Sequence, residues 1–405
     1  RFLSSWYWPT MGGFLLYLFS FYKKHVGIID KRSIAPRYYP PEGMDVLQSG
    51  LIYDRFADND DYAAAILELA QKGYLEIFQE KKGDDTFLKK SDKSTSDLPD
   101  DLKYLMNGVL FTGDSSSHLL KKKSQSEASR LKEGFKTINE MLYQWSAKEG
   151  YMRENPQKVR KGFLIKSILI LIPIILLAAY TMFKLYDPGL VMLLFFSSIF
   201  IGVGLSVALT QKSIFQKLFG LLFAVMGSGP ALSMLGSSAT LEALLFSPMT
   251  AVVIILIGIY VTYRHLGAYT HKGAYTHTQL LGLKEFMTRV KEDEIRRRLK
   301  DDPLYLDKAL PYAVLFGVTR HWLKLYDTLQ VSYPIWYHGS PAYLGDFSSG
   351  VGSAATPPPQ AAAVFRVAVA SPEVAAVAAV AAPGSGAAHY RKAGNLSAEA
   401  GRQFR

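Results

Sequence analysis

The sequence predicts a membrane α-helical protein with five transmembrane helices, an α+β winged-helix-like cytoplasmic domain and a helical C-terminal cytoplasmic region. Three observations lead there. Five apolar stretches approach the roughly 20 residues that a helix needs to cross a bilayer. Lysine and arginine gather beside alternate loops only. A helix, a glycine and a strand-turn-strand pattern follow one another between the first and second stretches.

The expected spans are residues 6–22, 163–183, 190–209, 218–235 and 244–263. The first is short and aromatic, with Trp6, Tyr7 and Trp8 where an interfacial belt sits. The second is the clearest, reading IKSILILIPIILLAAYTMF with Lys166 near one end. The fourth is interrupted by Gly227-Ser228-Gly229-Pro230, so Gly227, Gly229 and Pro230 form a candidate helix-break or packing site. A kinked span is favoured there over a re-entrant loop, because neighbouring helices can satisfy the backbone groups that Pro frees. Gly202-Val203-Gly204 lies inside a span and not after a soluble strand, which makes it a packing feature and not a dinucleotide loop.

Charge sets the orientation. Lys23, Lys24, Lys31 and Arg32 follow the first span, and Arg153, Lys158, Arg160 and Lys161 precede the second. Lys212 and Lys217 mark the turn after the third, and Arg264 and Lys272 follow the fifth. Of the opposite loops, the one between spans two and three has Lys184 as its only basic residue, and the segment 236–243 has no basic residue, only Glu242. The N-terminal end is therefore expected outside and both large polar regions in the cytoplasm, as in a bacterial inner membrane. The net charge of +11 follows from this bias. Residues 23–162 are nearly balanced, with 24 basic against 22 acidic side chains, and nucleic acid is disfavoured as a partner. With no cysteine, disulfides, thiolate metal sites and cysteine nucleophiles are excluded. No acid or histidine stands near mid-span, where ion paths and proton relays place them.

The domain layout expected is a first helix at 1–22, a winged-helix-like unit at 23–162, helices two to five at 163–263, a helical region at 264–338 and a disordered tail at 339–405. Within the winged-helix-like unit, Asp58 or Asn59 caps a helix whose apolar face holds Tyr62, Ile66, Leu69 and Ala70. Gly73 ends it, YLEIFQE alternates as a strand, residues 82–85 turn, and TFLKK returns. Two further helices are expected at 98–111 and 127–148, with Lys121-Lys122-Lys123 solvated in the loop between them. A recognition helix with Asp58, Asp60, Asp61 and Glu68 on it would repel a DNA duplex.

After the fifth span comes the tandem repeat GAYTHKGAYTHT, whose His271 and His277 lack further ligands nearby, so no metal is assigned. One amphipathic helix is expected over 283–300, supported by the i,i+4 pairs Glu292/Arg296, Asp293/Arg297 and Glu294/Arg298. Packing on the following helices is favoured for it over a membrane-surface position. Asp302-Pro303 starts a short helix, and Leu310-Pro311-Tyr312 opens another with Phe316, Thr319, Trp322, Leu323 and Tyr326 on its buried side. From Gly339 the chain turns to Ala, Val, Pro and Ser, and disorder is expected. Glycine codons read one base out would give such an Ala-Val tail, and sequencing the gene end decides that point.

Five pieces, taken in order, carry a resemblance: Arg37-Tyr38-Tyr39-Pro40-Pro41-Glu42-Gly43, AAAILELAQKGYLEI, GLKEFMTRVKEDEIRRRL, Leu310-Pro311-Tyr312-Ala313 with Gly317-Val318, and Pro334-Ile335-Trp336-Tyr337. Over residues 1–337 the chain resembles the YciQ-like predicted membrane proteins, a bacterial family defined by a domain of unknown function (DUF2207). The resemblance implies an N-terminally truncated chain whose extracytoplasmic, β-rich domain precedes Trp6. It transfers no catalytic residues, and the Ala-Val tail departs from the Gly- and Ser-rich family pattern.

There is no Walker loop, HExxH, nucleophile elbow or paired acid site, so no catalytic residue and no cofactor is assigned. The expectation is a non-enzymatic envelope protein that links an outside domain to a cytoplasmic protein-interaction module. Its partners would be the lipid bilayer and a cytoplasmic protein. The alternatives are a transporter or its accessory subunit, which Gly227, Gly229 and Pro230 motivate, and a membrane-tethered DNA-binding regulator.

Overall fold

The structure is a computed structural model that describes residues 5–27, 34–79, 85–113, 115–121, 124–185, 200, 203–204, 208, 214–234 and 248–356. It is mostly helical, with one small mixed sheet. In chain order the helices are α1 (Tyr7–His25), α2 (Val46–Asp54), α3 (Asn59–Gln71), α4 (Asp100–Tyr104), α5 (Gln125–Lys148), α6 (Pro156–Leu185), α7 (Ile214–Met234) and α8 (Pro248–His265). They continue with α9 (His271–Arg289), α10 (Glu292–Asp301), α11 (Tyr305–Leu315), α12 (Thr319–Leu329), α13 (Pro341–Leu344) and α14 (Phe347–Ala355). The strands are β1 (Leu75–Gln79), β2 (Thr86–Lys90), β3 (Ser117–Leu120) and β4 (Tyr337–Gly339).

Among the described residues one helix, Pro156–Lys184, is both long and apolar enough to cross a membrane. Only 22% of its most apolar 18-residue stretch is buried, and Ile165, Ile168, Leu169, Ile172, Ile175 and Leu176 face outward. Those are the side chains a lipid-facing surface needs. Helices α1, α7 and α8 lie at the first, fourth and fifth expected spans; most of the third lies outside the described residues. Trp6 and Tyr7 at the start of α1 pack with Ala178 and Ala251, and Trp6 Nε1 donates to Thr181 Oγ1 at 3.0 Å. At the other end of α1, Phe21 lies 4.9 Å from Phe163. Helix α1 is therefore antiparallel to α6 and parallel to α8. The last turn of α1, the first of α6 and the last of α8 meet at one end of this bundle.

The polar body has a single core that draws on residues from Val46 to Ala354. Its centre is α3. Asp58 caps that helix in a reciprocal box with Asp61, and Gly73 at φ +79° ends it. Every residue from Asp61 to Ala70 is buried, because α2, α11 and α14 cover it on its several sides. The sheet runs β3-β2-β1-β4. Strands β1 and β2 form the expected hairpin with Leu75 opposite Lys90, while β4 arrives from more than 240 residues later and pairs parallel to β1. The segments 23–162 and 264–338, expected as separate regions, thus close one core together.

Four local expectations change. The helix over 98–111 is a short α4 followed by a π-helical turn at Leu105–Leu110. Phe111 N bonds to Met106 O at 2.8 Å, and the wider turn accommodates Gly108 against the Tyr104 ring, where a Cβ would come within 2.8 Å. The helix over 283–300 breaks at Val290, whose ψ of 137° is extended. The acids Glu292, Asp293 and Glu294 then start α10, where the helix dipole favours them. Of the three expected ion pairs Glu294–Arg298 forms at 3.0 Å, and Arg297 turns to the same Glu294 at 3.5 Å. Pro311 lies inside α11 and does not open a helix; Gly317 at φ +72° separates α11 from α12. On α12 Thr319, Trp322, Leu323 and Tyr326 are buried as the spacing predicts.

The fourth change is at the tail. Residues 341–355 form α13 and α14 in place of disorder, and Phe347 and Val351 are 1% exposed. FSSGVGSAA puts Phe347, Val351 and Ala354 on one helical face, and α3 and α5 receive that face. The remainder of the tail, 357–405, lies outside the described residues. Phe347→Ala is expected to lower the stability of the full-length protein by about 3 kcal/mol or more, as core Phe truncations do. Denaturant unfolding in detergent measures this, and a loss under about 0.5 kcal/mol would remove α14 from the core.

Candidate functional site

The region where the chain's chemistry concentrates is the joint between the three meeting helix ends and the polar body. Its spine is the extended stretch Gly267-Ala268-Tyr269-Thr270, the first copy of the GAYTHK repeat. Tyr269 bridges Gly27, just past α1, in parallel fashion and Met152, just before α6, in antiparallel fashion. Arg153 N donates to Ala268 O at 2.8 Å and Thr270 N to Tyr151 O at 3.1 Å. Gly27 has φ +76°, and a Cβ there would lie 2.6 Å from Ala268 Cα; only glycine allows that approach. The second copy of the repeat is helical. Thr270 caps α9 by accepting from Gly273 N, and a Cβ on Gly273 would collide with Tyr151 O.

Two arginines hold the joint from opposite sides. Arg160, 4% exposed, donates to Leu266 O at 2.9 Å and stacks its guanidinium 3.7 Å over Phe56. Arg55 donates to His265 O at 3.3 Å and lies 4.5 Å over the Tyr269 ring. It ends α2 in the left-handed region at φ +70°, an uncommon conformation for a residue with a Cβ. Tyr269 Oη donates to Ile52 O at 2.5 Å. His277 of the second repeat copy stacks on Tyr269 of the first, with centroids 5.2 Å apart.

Helix α2 leads from this joint to a set of buried acids. Asp45 caps α2 through Gln48 N at 2.8 Å. Glu68 accepts from Val46 N at 2.9 Å and pairs with Lys72 at 2.8 Å. Gln48 Nε2 donates to Asp101 at 3.1 Å. Burial, with the Asp101 and Glu68 carboxylates alongside, pushes Asp45 well above the usual carboxylate range. Burial likewise raises Asp61, with Asp58 adding to it. Among the described residues no three histidines or acids are arranged to hold a metal ion.

The sequence-derived candidates lie elsewhere. Gly227, Gly229 and Pro230 fall within the continuous helix α7. A Cβ on Gly227 would collide with Phe200, while the side-chain surroundings of Gly229 and Pro230 lie outside the described residues. Gly204 packs on Gly220 and Ala224, where a Cβ would come 2.6 Å from the backbone. His271 and His277 are brought to the joint, but as a helix start and a ring stack. Sequence reasoning counted Arg160 only among the basic residues before the second span and did not single out Gly27, Arg55 or Tyr269. The duplicated GAYTHK was the one available signal.

His277 gives the joint a pH dependence. Burial lowers its pKa to about 4, with Arg55 adding to the effect, against its donated bond to Tyr53 O. The folded state therefore keeps the ring neutral while the unfolded chain, titrating near 6.5, takes up the proton first. Stability from this group is whole above pH 6.5 and is lost as pH falls toward 4, by about 2–3 kcal/mol. His277→Gln is expected to flatten that loss in unfolding measured at pH 7.5 and 4.5. Asp45 and Asp61 act in the opposite sense but are common to both chains.

The comparisons agree with the membrane character of this architecture. A family model described as "Predicted membrane protein (DUF2207) C-terminal domain" matches residues 35–326, more than two thirds of the chain. No curated protein matches and no solved structure matches. The match begins at the strap that carries Arg37-Tyr38-Tyr39, and ends at Tyr326 in the buried face of α12. By that extent the chain belongs to the DUF2207 family of predicted membrane proteins.

Proposed function

We propose that the chain is a non-enzymatic, multi-pass protein of the bacterial inner membrane that links an extracytoplasmic domain to a cytoplasmic protein-interaction module. In this reading it crosses the bilayer five times, with the N-terminal end outside and the polar body in the cytoplasm. The single observation that carries it is the convergence of α1, α6 and α8 on one joint. Because α1 and α8 both end there and α6 begins there, the polar segments before α6 and after α8 belong on the same side of the membrane. The basic residues beside those ends, Lys23, Lys24, Lys158, Lys161 and Arg264, make that side the cytoplasmic one.

The helix, glycine and hairpin of α3, Gly73, β1 and β2 follow the winged-helix order, and we read them as scaffold. A DNA-reading role needs an exposed recognition helix, whereas α3 is buried along its length beneath α2, α11 and α14. The transporter reading rested on a broken fourth span, and α7 is continuous through Gly227, Gly229 and Pro230. These observations support the scaffold reading over the two alternatives.

Two experiments test the proposal. Tags or thiol probes placed near Tyr74 are expected to be reachable only from the cytoplasmic face, and labelling from the outer face would overturn the topology. Gly27→Ala is expected to strain the joint by about 1–3 kcal/mol. Hydrogen exchange in the full-length protein should then quicken about tenfold or more at residues 150–153 and 267–270 while α3 stays protected. Unchanged exchange at the joint would remove it as the link.

A further inference from the structure

The sheet of the polar body buries one face and presents the other. On the buried side lie Leu75, Ile77, Leu88 and Leu120. On the outer side the register sets Leu119, Phe87, Phe78 and His338 next to one another, one on each of the four strands. Phe87 is 39% and Leu119 45% exposed, and Ile335, two residues before β4, is 91% exposed. Phe78 stacks on His338 with centroids 4.3 Å apart and meets Phe87 edge-on at 6.0 Å. Two residues along the strands, Glu76 and Lys89 are cross-strand neighbours. This is an apolar row flanked by a charged row, and among the described residues no element covers it.

We propose that this face is the contact between two copies of the chain, related by a two-fold axis that runs between β1 and β2 and parallel to them. Such an axis lays each β1 over the β2 of the other copy at the same height. Phe78 then meets the second copy's Phe87, and Leu119 meets its His338. In the neighbouring row Glu76 meets the second copy's Lys89, and the same pair forms again in reverse, as an isologous contact requires. The complementarity is in the register itself for two of these pairs, Phe78 with Phe87 and Glu76 with Lys89; Glu76 also lies 3.6 Å from His338 of its own chain. Side chains on facing sheets pair in this way when two sheets pack at about 10 Å.

The same features weigh against other occupants. An anionic lipid surface or a nucleic-acid strand would find Glu76 beside Lys89, with no net positive charge in the row. The ring of Phe78 is turned onto His338 and does not lie flat on the sheet as a base-stacking platform. A protein held in a membrane also meets its own copies at raised effective concentration, so a contact of a few side chains per copy suffices.

The chain has no cysteine, which makes the test direct. Two differently tagged full-length copies, one carrying Phe78→Cys and the other Phe87→Cys, are co-expressed and treated in their membranes with a bismaleimide whose arm spans about 10 Å, since facing sheets hold the two thiols too far apart for a disulfide. A mixed thioether-linked dimer is expected. Lys136→Cys on α5, 61% exposed at its side chain, is expected to give none. Placing Glu76→Lys in both copies should lower the crosslink about tenfold, and adding Lys89→Glu to both should restore it. Protease resistance of each variant reports that the body has folded. A folded pair that forms no crosslink overturns the proposal, whether the thiols react freely with an impermeant maleimide or are shielded by another partner. A crosslink indifferent to Glu76→Lys overturns it as well.

Discussion

The structure depends on backbone hydrogen bonds and bridges made by three residues, Ala268 to Thr270. Helices in lipid gain little from the hydrophobic effect when they associate, since the surrounding tails are as apolar as their own side chains. What orients α6, the described helix long and apolar enough to cross a membrane, against the polar body is therefore directional, and α1 and α8 share its contacts. The bond from Arg153 to Ala268 ties α6, the bridge at Gly27 ties α1, and α8 runs straight into the stretch. Arg160 reinforces it with a buried charge whose donor reaches Leu266 O and whose face lies on Phe56. A buried guanidinium is costly unless its donors and its flat face are both used. Here the flat face and one terminal donor are used, while Nε stays buried without a hydrogen-bond partner.

The joint has consequences for how the body forms. Its core joins residues on either side of the membrane helices. Ser49 Oγ and Tyr312 Oη are 3.1 Å apart across 263 residues of sequence, and β4 completes the sheet from as far away. Helix α3 can form early from its own capping box, but α11 and α14, which bury it, are made after the membrane segments. Contacts so distant in sequence close slowly. Until they do, a helix made of Tyr62, Ala63, Ala64, Ala65, Ile66 and Leu67 stays uncovered, and the anchored helix ends keep the two halves near each other.

Much of this was readable from residue patterns, and the part that was not has a common cause. Local signals held where the decisive interaction is local: Asp58 and Asp61 cap α3, Gly73 ends it, and Trp322 and Tyr326 share a buried face. They failed where a second interaction overrides the first, a nearby one at Val290 and distant ones elsewhere. Val290 continues a helical period, yet acids at 292–294 make a better helix start than a helix interior. Pro311 resembles a helix opening but lies within α11, where packing against α3 outweighs one lost backbone bond. Phe347 and Val351 sit in a low-complexity context and are ordered by α3 and α5. The acids of α3 were read as surface charges facing a duplex. Asp61 and Glu68 are instead satisfied inside, one by its own cap and the other by Val46 N and Lys72. Tyr269 and Arg160 carry no local signature, because their roles exist only once three helix ends are brought together.

Helix α2 connects the joint to the core, and its short sequence explains how. At one end Arg55 and Ile52 engage His265 and Tyr269. At the other, Asp45, Gln48 and the Val46 amide are held by the cap, Asp101 and Glu68. Midway, Ser49 meets Tyr312 of α11, and Gly50 lies so close to Asp61 that a Cβ would come within 2.5 Å of its carboxyl. A nine-residue helix fixed at both ends and at its middle cannot tilt without breaking buried polar bonds, each of which costs about 1–3 kcal/mol to leave unmade. A shift of α1, α6 or α8 must then either stop at the joint or move α2 as a whole, and with it the α3 layer that supports the sheet. That continuity of packed, hydrogen-bonded elements is what the proposed link requires. It is also why the proposed link runs through α2 and not through the flexible stem of any single side chain.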